Sequence, residues 1–156
     1  MKVSLREFQD TDLLLLEEWR RCIGGENYMS NYRPKRAAVS AHDPLVGVWW
    51  YIIRVGSKDV GTVWLERDAA REKAVLGIFL GEESLFGRGI GAEAINAAIE
   101  KVREDGTIHK VMLHVRENNV RAIACYAKCG FVTTSSGVKR VPGGKEIHYF
   151  TMARDL

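Results

Sequence analysis

Phe86-Gly87-Arg88-Gly89-Ile90-Gly91-Ala92-Glu93-Ala94 is the stretch that decides how this 156-residue chain folds. Upstream of it, Lys73–Leu80 is a continuous apolar run of strand length. Downstream, Ile95, Ala98, Ile99 and Val102 recur at helical spacing. Glu93, Asn96, Glu100, Lys101 and Arg103 take the opposite face, and Asp105-Gly106 ends the segment. Three alternating glycines therefore stand at a strand-to-helix junction. Lacking Cβ atoms, they let the backbone turn its N–H groups toward one point. The first N–H groups of the helix have no internal partner and carry about half a positive charge. Together these features make an anion cradle suited to phosphate, to which Arg88 can add a side-chain fork. A bare turn would not require three glycines. Gly87-x-Gly89-x-x-Ala92 also satisfies the permissive dinucleotide fingerprint, but that fingerprint opens a run of parallel strand-helix repeats. Here the loop falls mid-chain, with one more strand-helix pair after it. No Gly-Lys-Ser/Thr is present, which excludes a nucleoside-triphosphate loop.

Working outward, Val3–Phe8 alternates as a first strand. Asp10-Thr11-Asp12 offers capping oxygens to a helix over Leu13–Arg21 that stops at Gly24-Gly25. A short helix is expected around Pro34–Ser40. Val48–Val55 and Val60–Glu66 form a hairpin across a four-residue turn, Gly56-Ser57-Lys58-Asp59, and Lys73–Leu80 pairs with the second of them. Alternation places Trp49 and Tyr51 on one face and Trp50 and Ile52 on the other. Beyond the glycine-loop helix come a strand at Lys110–Val115, a helix at Asn119–Cys129 ended by Gly130, and closing strands at Phe131–Thr134 and Ile147–Met152. The expected fold is an α/β (α+β) domain spanning 1–156. It has a mixed, mostly antiparallel central sheet of about seven strands flanked by about four helices.

A second stretch completes the pattern: Val115-Arg116-Glu117-Asn118-Asn119-Val120-Arg121-Ala122-Ile123-Ala124-Cys125-Tyr126-Ala127-Lys128-Cys129-Gly130-Phe131. With the glycine loop, it closely resembles the GCN5-related N-acetyltransferase (GNAT) superfamily, whose pattern N-x-R-A-I-x-x-Y-x-K-x-G-F it matches. The loop departs at one place, since Phe86 stands where the family usually carries Gln or Arg. The aromatic-Gly-Arg-Gly form resembles the branch of ribosomal-protein N-terminal and small-molecule amine acetyltransferases. The resemblance implies acetyl-CoA as acetyl donor. It implies that the backbone of Ile78, Phe79 and Leu80 pairs with the pantetheine arm. Phe86, Gly87, Arg88, Gly89, Ile90, Gly91 and Ala92 would hold the pyrophosphate. Asn119 would bond the pantetheine side, cap its own helix, or do both. The resemblance also makes Tyr126 the general acid, since a phenol of pKa about 10 can protonate a departing thiolate of pKa about 8.5. No carboxylate lies in Ala74–Leu80, where many members carry a Glu. Glu66, Asp68, Glu82, Glu83, His114 or ordered water are the remaining bases, while His42, His109 and His148 show no partner pattern.

Nothing in the sequence names the acceptor. A protein or peptide N-terminus and a small-molecule amine, such as an aminoglycoside or polyamine, both fit. The rival reading is a non-catalytic module that binds acyl-CoA. Composition bounds the other classes. The net charge of +3 comes from 23 basic and 20 acidic residues with no basic run, which is no nucleic-acid signature. The apolar stretches fall far short of the ~20 residues of a membrane span. Cys22, Cys125 and Cys129 form no C-x-x-C pair and no metal-ligand pattern. With no secretory pattern, they point to the reducing cytoplasm and to a site without metal. Cys125 and Cys129, four apart on a helix, read as small apolar core residues. Family members are often dimers, which leaves a homodimer open.

Overall fold

The computed structural model describes residues 2–23, 32–35, 42–69 and 72–156. Strands β1 (Val3–Glu7), β2 (Val48–Val55), β3 (Lys58–Arg67), β4 (Lys73–Leu80), β5 (Lys110–Arg116), β6 (Val132–Arg140) and β7 (Glu146–Asp155) form one sheet in the order β1-β2-β3-β4-β5-β7-β6. Every neighbouring pair is antiparallel except β4 with β5, which is parallel. A parallel pair needs a crossover, and helix α2 (Ile90–Arg103) supplies it. Helix α1 (Leu13–Ile23) lies between β1 and β2 in sequence, and α3 (Val120–Lys128) between β5 and β6.

Strand alternation sorts the apolar residues onto two faces. Trp49, Tyr51, Val63, Leu65, Leu76, Val111, Leu113 and Val115 pack with Ile95, Ala98, Ile99 and Val102 of α2, and α3 joins this layer through Ala122, Ile123 and Tyr126. On the opposite face Trp50, Ile52, Trp64 and Phe79 pack with Leu16 and Trp19 of α1. Trp49 and Tyr51 thus share one face and Trp50 and Ile52 the other, as alternation requires.

The edge at β1 is tied to the rest by charge. The Arg6 guanidinium bonds both oxygens of Asp12, at 2.9 and 2.8 Å, and both oxygens of Asp59, at 3.3 and 2.9 Å. Asp12 is buried and also accepts the Gln9 N–H at 2.9 Å. The expected capping run Asp10-Thr11-Asp12 is therefore itself a 3-10 turn. Its Asp12 carboxylate is drawn back to Arg6 and Gln9 instead of capping α1.

Several expectations need adjusting. The β2–β3 turn is two residues long, because Val55 pairs directly with Lys58. Gly56 takes a φ of +61°, the left-handed value that such a tight hairpin needs. The closing strands run well past Thr134 and Met152, since β6 and β7 pair from Val132 to Arg140. The polar Thr133–Ser136 segment hid the extent of β6: it is an exposed edge strand with no apolar alternation to read. Three α-helices are present among the described residues, against about four expected. The helix expected at Pro34–Ser40 lies mostly outside the described residues.

Candidate active site: a cleft where two strands part

β4 and β5 pair only from Lys73↔Lys110 to Val75↔Met112. Beyond that rung β4 stays on β3 up to Leu80, β5 stays on β7 up to Arg116, and the two strands separate. The sheet splits there, and a cleft of about 990 Å³ opens in it.

Which backbone groups face the gap follows from the ladder. Gly81 N–H bonds Val60 O, and Lys73 O accepts from Asp68 N–H. Odd-numbered residues of β4 therefore bond to β3, and Ile78 and Leu80 direct N–H and C=O toward the gap. On the other wall, Leu156 N–H bonds His109 O and Glu117 N–H bonds His148 O. By the same alternation His114 and Arg116 present their backbone groups to the gap. Phe79 is placed differently from its neighbours. Its backbone turns to Thr62 on β3, and its ring makes edge contacts with Trp19 and Tyr32 on the α1 face.

The glycine loop closes one mouth of the cleft. Gly87 and Gly89 adopt φ of +76° and +82°, where an L side chain would be strained. Gly89 caps α2 with no side-chain bond, and the first helical bond runs from Glu93 N–H to Gly89 O. The N–H groups of Ile90, Gly91 and Ala92 precede that bond and are the helix's orphan donors. Gly87, Gly89, Ile90, Gly91 and Ala92 all line the cleft, as does Phe86, whereas Arg88 is not among the lining residues. A cation comes from elsewhere: the Arg121 guanidinium of α3 stacks over the Phe86 ring, 3.9 Å from its centroid. Neither the loop nor the helix pattern announced that pairing, because it joins residues far apart in sequence.

Asn119 caps α3, its side chain accepting the Ala122 N–H at 3.3 Å, and it also lines the cleft. Two turns on, Tyr126 lines the same cleft, its ring edge-on to Phe131 at 6.2 Å. Burial pushes the Tyr126 phenol above its ordinary pKa, and the neighbouring Cys125 and Cys129 thiols push the same way. Cys125 and Cys129 do share a face. Cys129 is buried as expected, while Cys125 stands at the cleft wall with its Sγ near Gly91. A hydrogen bond from Cys129 lowers the Cys125 thiol to about 7.

The other mouth opens on the α1 face, where Trp64, Glu66, His114, Lys139 and Tyr149 line it. Trp64 lies flat across β4 because residue 77 is glycine: a Cβ there would sit 2.0 Å from the indole. Gly77→Ala is expected to lower stability by about 1–3 kcal/mol through overpacking and to shift the Trp64 fluorescence, both readable in one denaturation series. Tyr149 similarly lies over Gly137 of β6. Of the candidate bases, Glu82 is engaged by Lys58 at 2.9 Å and Glu66 accepts the Lys35 backbone N–H at 3.0 Å. Glu83 and His114 line the cleft, and Asp68 is close enough to His114 to influence its charge. His42 is structural, its Nδ1 accepting the Trp50 N–H at 3.1 Å. Tyr149 carries no local signal in the sequence and reaches the cleft only through the β5–β7 register.

Comparison with known proteins agrees with this geometry. The acetyltransferase (GNAT) family model matches residues 12–131. An aminoglycoside N(6')-acetyltransferase type 1 of Klebsiella pneumoniae is 29% identical over 163 residues, spanning 86% of this chain and 79% of that protein. Among solved structures, aminoglycoside acetyltransferase AAC(6')-Ib in complex with coenzyme A has a TM-score of 0.76 at 22% identity, covering 99% of this chain and 95% of that one. Spermidine N-acetyltransferase from Vibrio cholerae, in complex with CoA and spermine, has a TM-score of 0.77 at 21% identity, with 98% and 95% covered. At these identities the solved structures establish the fold. The parted parallel strands, the glycine loop at the crossover helix and the family match over most of the chain lead to one statement: this chain belongs to the GNAT family of acetyltransferases.

Proposed function

We propose that the chain is one N-acetyltransferase domain over 1–156, which moves an acetyl group from acetyl-CoA to a primary amine while both substrates are bound. The observation that carries this reading is the splayed β4–β5 pair. It leaves the backbone groups of Ile78 and Leu80 without a strand partner beside a loop of free N–H groups, and it gives the cleft a separate mouth on each face of the sheet. An extended amide-bearing arm can complete the β4 edge, with its pyrophosphate on the N–H groups of Gly87 to Ala92. Residues present thus fit acetyl-CoA, which when bound supplies an activated acyl group on a thiol leaving group.

The chain's own residues then have distinct tasks. Ile78 and Leu80 hold and align the donor arm, and alignment is the largest task of a two-substrate site. A free N–H at the end of β4 can serve as oxyanion donor. Asn119 fixes the start of α3, and Tyr126 holds a proton at its hydroxyl for the departing sulfur. The amine enters from the α1 face past Trp64 and Tyr149. The aminoglycoside-modifying relative favours a small-molecule amine as acceptor, and a peptide N-terminus is the other candidate. Three free thiols, Cys22, Cys125 and Cys129, are compatible with a cytoplasmic setting.

Thermal shift separates the donor from a nicotinamide: acetyl-CoA raises Tm and NAD(P)H leaves it unchanged. The reverse would overturn the assignment. Arg121→Ala removes the cation stacked on Phe86 and is expected to weaken CoA binding about tenfold, ~1.4 kcal/mol, as read by titration calorimetry. Unchanged affinity would show that Arg121 only packs on the ring. An acyl-CoA module without catalysis would bind the donor and release no thiol with any amine.

A further inference from the structure

We propose that His114 is the base that takes the proton from the incoming amine, with Thr151 holding its ring in the required orientation; this rests on the acetyl-transfer reading above.

His114 is two residues past Met112, the last β5 residue paired with β4, so it stands where the sheet has just opened. Its neighbours Leu113 and Val115 pack into the α2 layer, so alternation turns the imidazole to the α1 face, at the mouth away from the glycine loop. Tyr126 belongs to the α2 and α3 layer on the other side of the sheet. A base and an acid for one transfer should approach from the acceptor and donor sides respectively, and these two residues do.

The ring is held on two sides. Thr151 lies directly opposite His114 in the β5–β7 ladder, and Nδ1 is 3.1 Å from its Oγ1. Tyr149 stands edge-on to the imidazole at 5.7 Å and 89°. With the proton on Nδ1 donated to Thr151, the Nε2 lone pair is free to accept. The charged groups acting on it are Lys35, from the 32–35 segment, and Asp68, just past β3. Burial lowers the imidazole pKa from 6.5, Lys35 adds to that, and Asp68 opposes it. The ring is consequently neutral at pH 7, the form a base requires, and it is protonated only as pH falls below its ordinary range. Glu66 and Glu82 are each engaged elsewhere, by the Lys35 N–H and by Lys58.

The proton balance closes. The ammonium gives one proton to Nε2, and His114 returns it to solvent. The nitrogen–carbon bond forms as the carbon–sulfur bond breaks. The nitrogen's second proton ends on sulfur by way of Tyr126, leaving an amide, a thiol and one proton released.

The test uses the intact chain, with free-thiol release from acetyl-CoA measured between pH 5.5 and 9.5 over an acceptor panel of kanamycin, spermidine and a short peptide. His114→Gln is expected to lose at least tenfold in kcat/KM at pH 7 while binding CoA as the wild type does. The limb set by the imidazole should disappear, leaving a rate that follows the neutral fraction of the amine alone, and the deficit should close at high pH. Imidazole added to His114→Ala should restore rate. A Gln variant with the wild-type profile, or a deficit equal at every pH, overturns the proposal. ¹⁵N NMR of the wild-type ring gives a readout without turnover: an Nε2–H tautomer bonded through Nδ1 to the Thr151 hydroxyl also overturns it. If wild-type protein binds acetyl-CoA but releases no thiol with any amine, the acetyl-transfer reading fails instead.

Discussion

Tyr126→Phe is expected to lower turnover about a hundredfold, the low end of what a positioned proton donor contributes, while leaving CoA affinity unchanged. The ring itself is part of the packing, edge-on to Phe131 and in contact with the α2 layer, and Phe preserves all of that. Only the hydroxyl is lost. Burial, reinforced by Cys125 and Cys129, holds the phenol above its usual pKa. The proton is therefore present throughout the physiological range and is lost only well above pH 10. No alkaline limb below that pH should be traceable to Tyr126. Among the described residues no hydrogen bond to the Tyr126 hydroxyl is formed, so its removal leaves no protein group stranded. Steady-state kinetics with calorimetric CoA binding checks both halves: wild-type turnover in the Phe variant would refute the role, and a loss of CoA affinity would make the tyrosine a binding group.

The largest stability effect is expected at Arg6, far from the cleft. Its guanidinium holds the buried Asp12 and the partly exposed Asp59, joining β1, the turn that leads into α1, and the start of β3. Arg6→Met keeps the aliphatic length and leaves Asp12 without its counter-charge. Breaking a buried pair from one side costs about 3–5 kcal/mol. Arg6 is 30% exposed at its side chain, so solvent screening reduces this to about 2–3 kcal/mol. The pH dependence has a definite sign. Burial alone would raise the Asp12 carboxyl, but the Arg6 bonds and the Gln9 N–H outweigh it and hold the pKa below its usual 3.8. A depressed carboxylate contributes stability above its unfolded pKa and loses it as pH falls through the folded one. The gap between wild type and variant should thus be full at pH 7 and narrow steadily below pH 4. Urea unfolding at several pH values reads it. A gap that stays constant to pH 2 would mean Arg6 acts through packing and not charge.

Much of the fold was legible because its signals are local. The glycine triplet at a change of period located the β4–α2 junction, and Lys73–Leu80 marked β4 residue for residue, since a run buried on both faces is apolar throughout. The mostly polar β6 was read short for the opposite reason, its exposure leaving no alternation. The site divides the same way. Gly87, Gly89, Asn119 and Tyr126 lie in contiguous motifs legible in the sequence, and all four line the cleft. Phe79 was grouped with Ile78 and Leu80 as one segment, yet a strand sends alternate backbones to opposite neighbours, so its groups serve β3. Arg121 on Phe86, Trp64 over Gly77 and Thr151 beside His114 are pairings between distant segments. Each depends on strand register or helix packing, which no single stretch of sequence encodes.

The central claim is that the gap between β4 and β5 receives acetyl-CoA and that the opposite mouth delivers an amine to it. Thiol release from acetyl-CoA over a panel of aminoglycosides, polyamines, amino acids and peptides, with the acetylated product identified by mass, tests this most directly. Amine-dependent release with stoichiometric N-acetylation of at least one acceptor is the predicted result. Failure of the chain to bind acetyl-CoA, or binding with no thiol released for any amine, would contradict it.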